Sequence, residues 1–170
     1  AGVARTFQNI RLFGRMTVLE NVMVAAKADA TRPLRSFLRL RHGAEIDRAM
    51  AHLRLTGLAA KADQRASSLA YGEARRLEIA RALAGQPRLL VMDEPAAGMN
   101  ERESEELVEL IRVCRTRVDA VLLIEHDIAL VRALSTRLVA MDNGAKIADG
   151  PPDAVLTDAA VRKAYLGDEE

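Results

Sequence analysis

The chain of 170 residues has no Trp, two Tyr and three Phe. Its core must be filled by Leu, Val, Ile, Ala and Met, which suits helices layered on a sheet and leaves few aromatic faces for stacking bases. Cysteine occurs once, as Cys114, so no internal disulfide forms, as fits a reducing compartment. Neither charge dominates: 25 Lys and Arg against 24 Asp and Glu give a formal charge of +1, gathered into no long block. That excludes the basic stripe of a nucleic-acid binder. The locally basic stretch from Arg32 to Arg41 reads as a solvated loop and helix flank. The longest apolar runs, such as Ala120 to Ile124, are far below bilayer-spanning length, and no charged start leads into an apolar signal segment. Membrane association then has to come through a partner.

What is present is an α/β pattern. Gly2 to Gln8 reads as an opening strand. From Met16 to Lys27, Val18, Leu19, Val22, Met23 and Ala26 recur at helical spacing, with Thr17 as cap and Glu20 as its capping-box partner. Pro33 breaks the pattern. Ile46, Met50 and Leu53 make a second helix ending at Gly57, and a third starts at Ala74 with Leu77, Ile79, Ala80, Leu83 and Ala84 inward, ending near Gly85 and Pro87. After a strand at Leu89 to Met92 comes alternation: helix Glu101 to Arg117, strand Ala120 to Glu125, helix Ile128 to Leu134 and strand Arg137 to Met141. This rhythm predicts a parallel sheet covered by helices. Asp142-Asn143-Gly144 then turns the chain into a hairpin strand, Ala145 to Asp149, and the tail reads as short helices capped by Asp153 and Asp158. Cys114 falls on the stripe Leu107, Leu110, Ile111, Cys114 and is expected to pack the core rather than act as a nucleophile.

The chemistry-bearing residues follow the strands. Leu89-Leu90-Val91-Met92 ends abruptly in Asp93-Glu94-Pro95, a buried strand delivering two adjacent carboxylates to its exposed end. Nucleotide-hydrolysing proteins place one acid near Mg²⁺ and another near the attacking water in this way, although a solvated turn would show the same letters. Ser67 to Glu73 precede the third helix, whose unpaired N–H groups make an anion site that Gly72 would let a phosphate approach. His126 ends the run Val121 to Glu125, where ligands of open α/β sheets collect. Gln8 ends the opening strand and has an amide able to coordinate Mg²⁺ or hold a water. His42 and His52 read as surface residues.

Taken in order, Gln8, the insertion ending in Leu69-Ala70-Tyr71-Gly72-Glu73, Leu90 to Pro95, and Ile124-Glu125-His126-Asp127 resemble the nucleotide-binding domain of ATP-binding cassette transporters over the whole chain. Arg5-Thr6-Phe7-Gln8-Asn9-Ile10-Arg11-Leu12-Phe13, Leu69-Ala70-Tyr71-Gly72, Ala96-Ala97-Gly98-Met99-Asn100 and Ala164-Tyr165-Leu166-Gly167 look like the ATPases of branched-chain amino acid importers. The resemblance implies a P-loop NTPase-like (RecA-like) parallel-sheet core, residues 1–9 and 86–170, with a helical subdomain inserted at 10–85. It implies ATP and Mg²⁺ as cofactors, with Asp93 holding the metal through water and Gln8 linking it to the insertion. Glu94 would be the general base, and His126 would sense the γ-phosphate. Leu69, Ala70, Tyr71, Gly72 and Glu73 would close over ATP held by a second ATPase subunit. Ala97, Gly98, Met99 and Asn100 would carry signals between the two sites. The implied partners are membrane-spanning permease subunits and, indirectly, a substrate-binding protein, with the ATPase peripheral on the inner face of the cell membrane.

Against that pattern, Ala70 replaces a serine, Tyr71 a glycine, Glu73 a glutamine and Asn100 an aspartate; the Glu73 carboxylate is expected to point away from phosphate. The loop G-x-x-x-x-G-K-[ST] is missing: Lys27, Lys61, Lys146 and Lys163 are the only lysines, and none follows a glycine. The expectation is an N-terminally truncated ATPase, without the strands that flank Leu89 to Met92, exposing apolar sheet surface and neither holding ATP tightly nor turning it over. Two other readings stand beside it, a soluble ATPase of the superfamily acting outside transport and a non-catalytic remnant that only binds partners. Leu12, Phe13 and Met16 either pack the insertion or help form a groove for a helix of the membrane partner.

Overall fold

The computed structural model describes residues 2–26 and 43–165. The basic stretch Arg32 to Arg41, Pro33, His42 and the closing Leu166 and Gly167 lie outside the described residues. The chain divides into two compact units, residues 1–124 and 125–170.

In the first unit, β1 (Val3–Thr6), β2 (Leu89–Asp93) and β3 (Ala120–Ile124) form a parallel sheet in that order. Thr6 lies beside Met92 and Asp93 beside Ile124, so the carboxyl ends of the strands line one edge. Between β1 and β2 come α1 (Val18–Ala26), α2 (Gly43–Leu55), short 3₁₀ turns at Ala59–Lys61 and Ala66–Ser68, and α3 (Tyr71–Ala84). The helix α4 (Glu101–Arg115) joins β2 to β3. The box at the start of α1 is formed as its sequence implies: the Glu20 N–H donates to Thr17 Oγ1 at 3.1 Å and the Thr17 N–H to Glu20 Oε2 at 2.8 Å. Val18, Val22, Leu53, Leu58 and Leu77 are fully or almost fully buried in one cluster, each such burial contributing about 1.5–3 kcal/mol.

Two expectations are corrected. The helix α3 begins at Tyr71 rather than Ala74, because Ala70 is extended and acts as N-cap. Ala70 has no side-chain oxygen, so only the returning half of a capping box exists, the Glu73 carboxylate accepting from the Ala70 N–H at 3.3 Å. Leu89 to Met92 are not left bare either. Strands β1 and β3 flank β2 on both sides, and Leu90 and Met92 are fully buried. Apolar exposure falls instead on β3, where Leu122 is 52% and Ile124 46% exposed.

The second unit starts with α5 (Ile128–Leu134), whose Leu130 N–H is capped by Asp127 at 3.1 Å. Strands β4 (Leu138–Asp142) and β5 (Ala145–Gly150) pair antiparallel. Asn143 and Gly144, both at positive φ, give the turn the twist that suits a tight hairpin. Alternation had suggested that β4 continues a parallel sheet; its partner is the strand its own turn delivers. The short helices α6 (Pro152–Leu156) and α7 (Ala159–Tyr165) pack Val155 and Val161 against Ala140. Asp158 caps α7 through the Ala160 N–H at 2.8 Å. Asp153 is not a cap: Pro151 holds that place, and Asp153 pairs with Arg132 at 3.0 Å.

Candidate functional site

Parallel register brings the ends of β1 and β2 together, and with them three of the site residues the sequence singles out. Gln8 Nε2 donates to Glu94 Oε2 at 2.7 Å, while Arg5 Nη2 meets Asp93 Oδ2 at 2.6 Å. Glu94 has φ +42, a left-handed conformation that a non-glycine residue holds only where its surroundings fix it. Its N–H donates to the Ile124 carbonyl at 2.9 Å, which ties the carboxylate pair to the end of β3. Pro95 behind it is buried.

The loop after Pro95 leads to α4 and meets the start of α3. Gly98 has φ +77, and a Cβ there would lie 3.6 Å from the Tyr71 ring. Asn100 caps α4, accepting from the Glu103 N–H at 3.0 Å while Glu103 Oε2 accepts from the Asn100 N–H at 3.1 Å. A Cβ on Gly72 would come within 2.8 Å of Glu103 Oε1, so in this structure the missing side chain makes room for α4. Ala97 and Met99 donate their N–H groups to the Glu94 and Ala96 carbonyls at 3.2 and 3.1 Å. Leu69 packs on the helical core, and Ala70 is exposed. Glu73 is turned to Lys61 at 2.5 Å. That hydrogen bond holds its carboxyl below the ordinary range; partial burial works the other way, and the Ala70 N–H and the charges of Lys61 and Arg76 add to the lowering.

His126 lies in the second unit ahead of α5, with its ring exposed and its N–H donating to Glu125 Oε2 at 3.3 Å. With Val131, Leu138 and Tyr165 it lines a cavity of about 70 Å³. His52, expected at the surface, is partly buried; burial first, and the Arg117 charge second, lower its pKa. Cys114 is wholly buried, as its stripe implies, and burial pushes its thiol up to about 12.

Sequence reasoning passed over Arg5, Lys61, Arg75, Glu78 and Glu103. Arg75 and Glu78 carried a signal: they fall at i, i+3 within the apolar arc of α3 and are fully buried. Arg5 carried none, since an Arg on an edge strand is ordinary.

Residues 1–97 match the family model described as ABC transporter. The branched-chain transport ATP-binding protein LivG of Escherichia coli (strain K12) is 44% identical over 98% of this chain and 68% of its own length. The chain belongs to the ABC transporter family. Within this ABC cassette, residues 145–170 also match the model described as branched-chain amino acid ATP-binding cassette transporter. BraF of Pseudomonas aeruginosa (strain PAO1), named as a branched-chain amino acid transport ATP-binding protein, is 41% identical over 98% of this chain and 68% of itself. Among solved structures, an ATP-binding cassette of an ABC transporter in its ADP conformation superposes with TM-score 0.80 at 30% identity, over 98% of this chain and 69% of that one. A putative metal-chelate type ABC transporter reaches TM-score 0.82 at 17% identity, over 97% and 64%, which bears on the fold alone.

ABC cassettes bind nucleotide, and the donors at the strand ends fit the metal that accompanies it. Asp93, Glu94 and the Gln8 amide are hard oxygen donors of the kind Mg²⁺ takes beside phosphate oxygens and water. With Nε2 bonded to Glu94, the Gln8 Oε1 is the amide atom left for a cation. Among the described residues no group of three or more His, Cys, Asp or Glu forms a metal cage on its own, and no helix is long and apolar enough to cross a membrane.

Proposed function

We propose that this chain is the hydrolytic part of the ATP-hydrolysing cassette of an importer of branched-chain amino acids, carrying Gln8, Asp93, Glu94 and His126 but not the phosphate-gripping loop G-x-x-x-x-G-K-[ST], without which it does not turn ATP over by itself. The observation that carries the chemistry is the Gln8–Glu94 contact beside Asp93 at the end of a parallel sheet. The likeness of residues 145–170 to the branched-chain family model and the 44% identity to LivG support the cargo.

Mg²⁺ bound with ATP supplies charge neutralisation for the phosphates. Asp93 would help hold the metal, and for this its carboxylate would have to share or release Arg5. Glu94 accepts hydrogen bonds from the attacking water and takes its proton, the left-handed backbone aiming the carboxylate before substrate arrives. Gln8 would be a further ligand of that metal and joins β1 to the helices that follow it, and His126 would supply a hydrogen bond to the terminal phosphate. Tyr71, Gly72 and Glu73 present the first N–H groups of α3 to ATP held by a second ATPase subunit, and the Ala97–Asn100 loop runs along the same dimer contact. The cassette works on the inner face of the membrane against permease subunits, and a substrate-binding protein delivers the cargo to them.

Phe13 is 49% exposed with Arg81 over its ring at 5.6 Å, an open apolar side chain that a partner helix could cover. In the reconstituted transporter, Phe13→Asp is expected to lower leucine uptake at least tenfold and leave ATP hydrolysis without cargo near the unaltered rate. Loss of hydrolysis together with uptake would make Phe13 a packing residue and remove this support.

A further inference from the structure

Helix α3 carries a buried ion pair with no counterpart in the phosphate chemistry. Arg75 Nη1 meets Glu78 Oε2 at 2.8 Å, with side-chain exposures of 0% and 2%. The same guanidinium donates to the Phe7 carbonyl at 2.6 Å, the Gln8 carbonyl at 2.7 Å and the Tyr71 hydroxyl at 3.3 Å. Glu78 Oε1 accepts from the Arg11 N–H at 3.4 Å. Arg75 Nε finds no acceptor, so the fork is oriented for the two carbonyls rather than for saturating its own donors. A buried pair contributes little net stability but fixes one arrangement against others, because breaking any contact strands a charge.

The four contacts reach the two segments that a nucleotide would touch. Phe7, Gln8 and Arg11 belong to the segment leaving β1 beside Glu94. Tyr71 opens α3, and its ring lies over Gly98. We propose that Arg75 is a positioning residue that locks residues 7–11 to the first turn of α3, so that a shift of Gln8 is carried to Tyr71 and Gly72. This rests on the reading of Gln8 and of the α3 N-terminus given above. Lysine cannot replace the fork, since a point ammonium does not serve two carbonyls and a carboxylate in one plane.

Hydrogen exchange of the full-length protein with and without Mg–ATPγS tests this. In the unaltered protein the nucleotide is expected to slow exchange at residues 8–13 and 71–75 together. The pair Arg75→Met with Glu78→Leu replaces the ions by apolar side chains of similar volume, which preserves the fold in comparable cases. It is expected to keep the slowing at 8–13 and to lose most of it at 71–75, a difference of roughly tenfold in exchange rate. Should that variant not fold, Arg75→Lys carries the same comparison with a smaller loss. Equal slowing at 71–75 with the tether removed would overturn the inference. Absence of slowing at 8–13 in the unaltered protein would overturn the reading of Gln8, and the inference with it.

Discussion

At the scale of single residues, environment decides what a side chain can do. Cys114 has no exposed surface, and its thiol, pushed up to about 12, is protonated at any physiological pH. Iodoacetamide at pH 8 is therefore expected to label the unfolded chain at least a hundredfold faster than the native one; comparable rates would show that the site opens freely. The raised value also has a sign: the unfolded thiol ionises near its ordinary value of 9.0 and the native one only near 12, so stability falls as pH rises through that window. Asp93 and Glu94 stood out because they end the apolar run Leu89 to Met92 of a buried strand, and Gln8 because it ends the opening strand. Arg75 and Glu78 were not singled out, because charged letters inside a helical pattern read by default as the solvated face, even where, as here, their i, i+3 spacing sets them among the buried positions of α3.

At the scale of elements, caps and turns account for most of what the sequence foretold and for what it missed. Thr17-x-x-Glu20 was read as a capping box and is formed; Asn100-x-x-Glu103 has the same spacing, was passed over, and is formed too. The second ends the loop that carries Gly98. Asn100→Ala removes the acceptor of the Glu103 N–H and is expected to cost about 1 kcal/mol in urea unfolding. An unchanged midpoint would mean that tertiary packing alone sets the start of α4. The start of α3 was misplaced because Ala70 gives no capping letter, and the cap of α6 because Asp153 spends its carboxylate on Arg132. The first error arises from a missing capping letter, the second where a tertiary contact replaces the local one.

At the scale of the whole molecule, the parallel arrangement of β1, β2 and β3 gives the site its meaning: separate stretches of sequence, near Gln8 and near Asp93, become neighbours only through the register of the sheet. The α/β class and the run of helices between the first two strands were readable from periodicity. The β4–β5 hairpin was readable from Asp142-Asn143-Gly144, but its standing apart from the parallel sheet was not, since alternation of helix and strand does not say which edge a strand will join. The proposed hydrolysis rests on the Glu94 carboxylate at that sheet edge. The most direct test is ATP turnover by the full-length protein carrying Glu94→Gln, measured beside binding of a fluorescent ATP analogue with Mg²⁺. The amide keeps the shape and the hydrogen bond to Gln8 but cannot take a proton, so turnover is expected to fall about a hundredfold or more with binding retained. Turnover close to that of the unaltered protein would contradict the assignment of Glu94 as the base and move the chemistry elsewhere in the cassette.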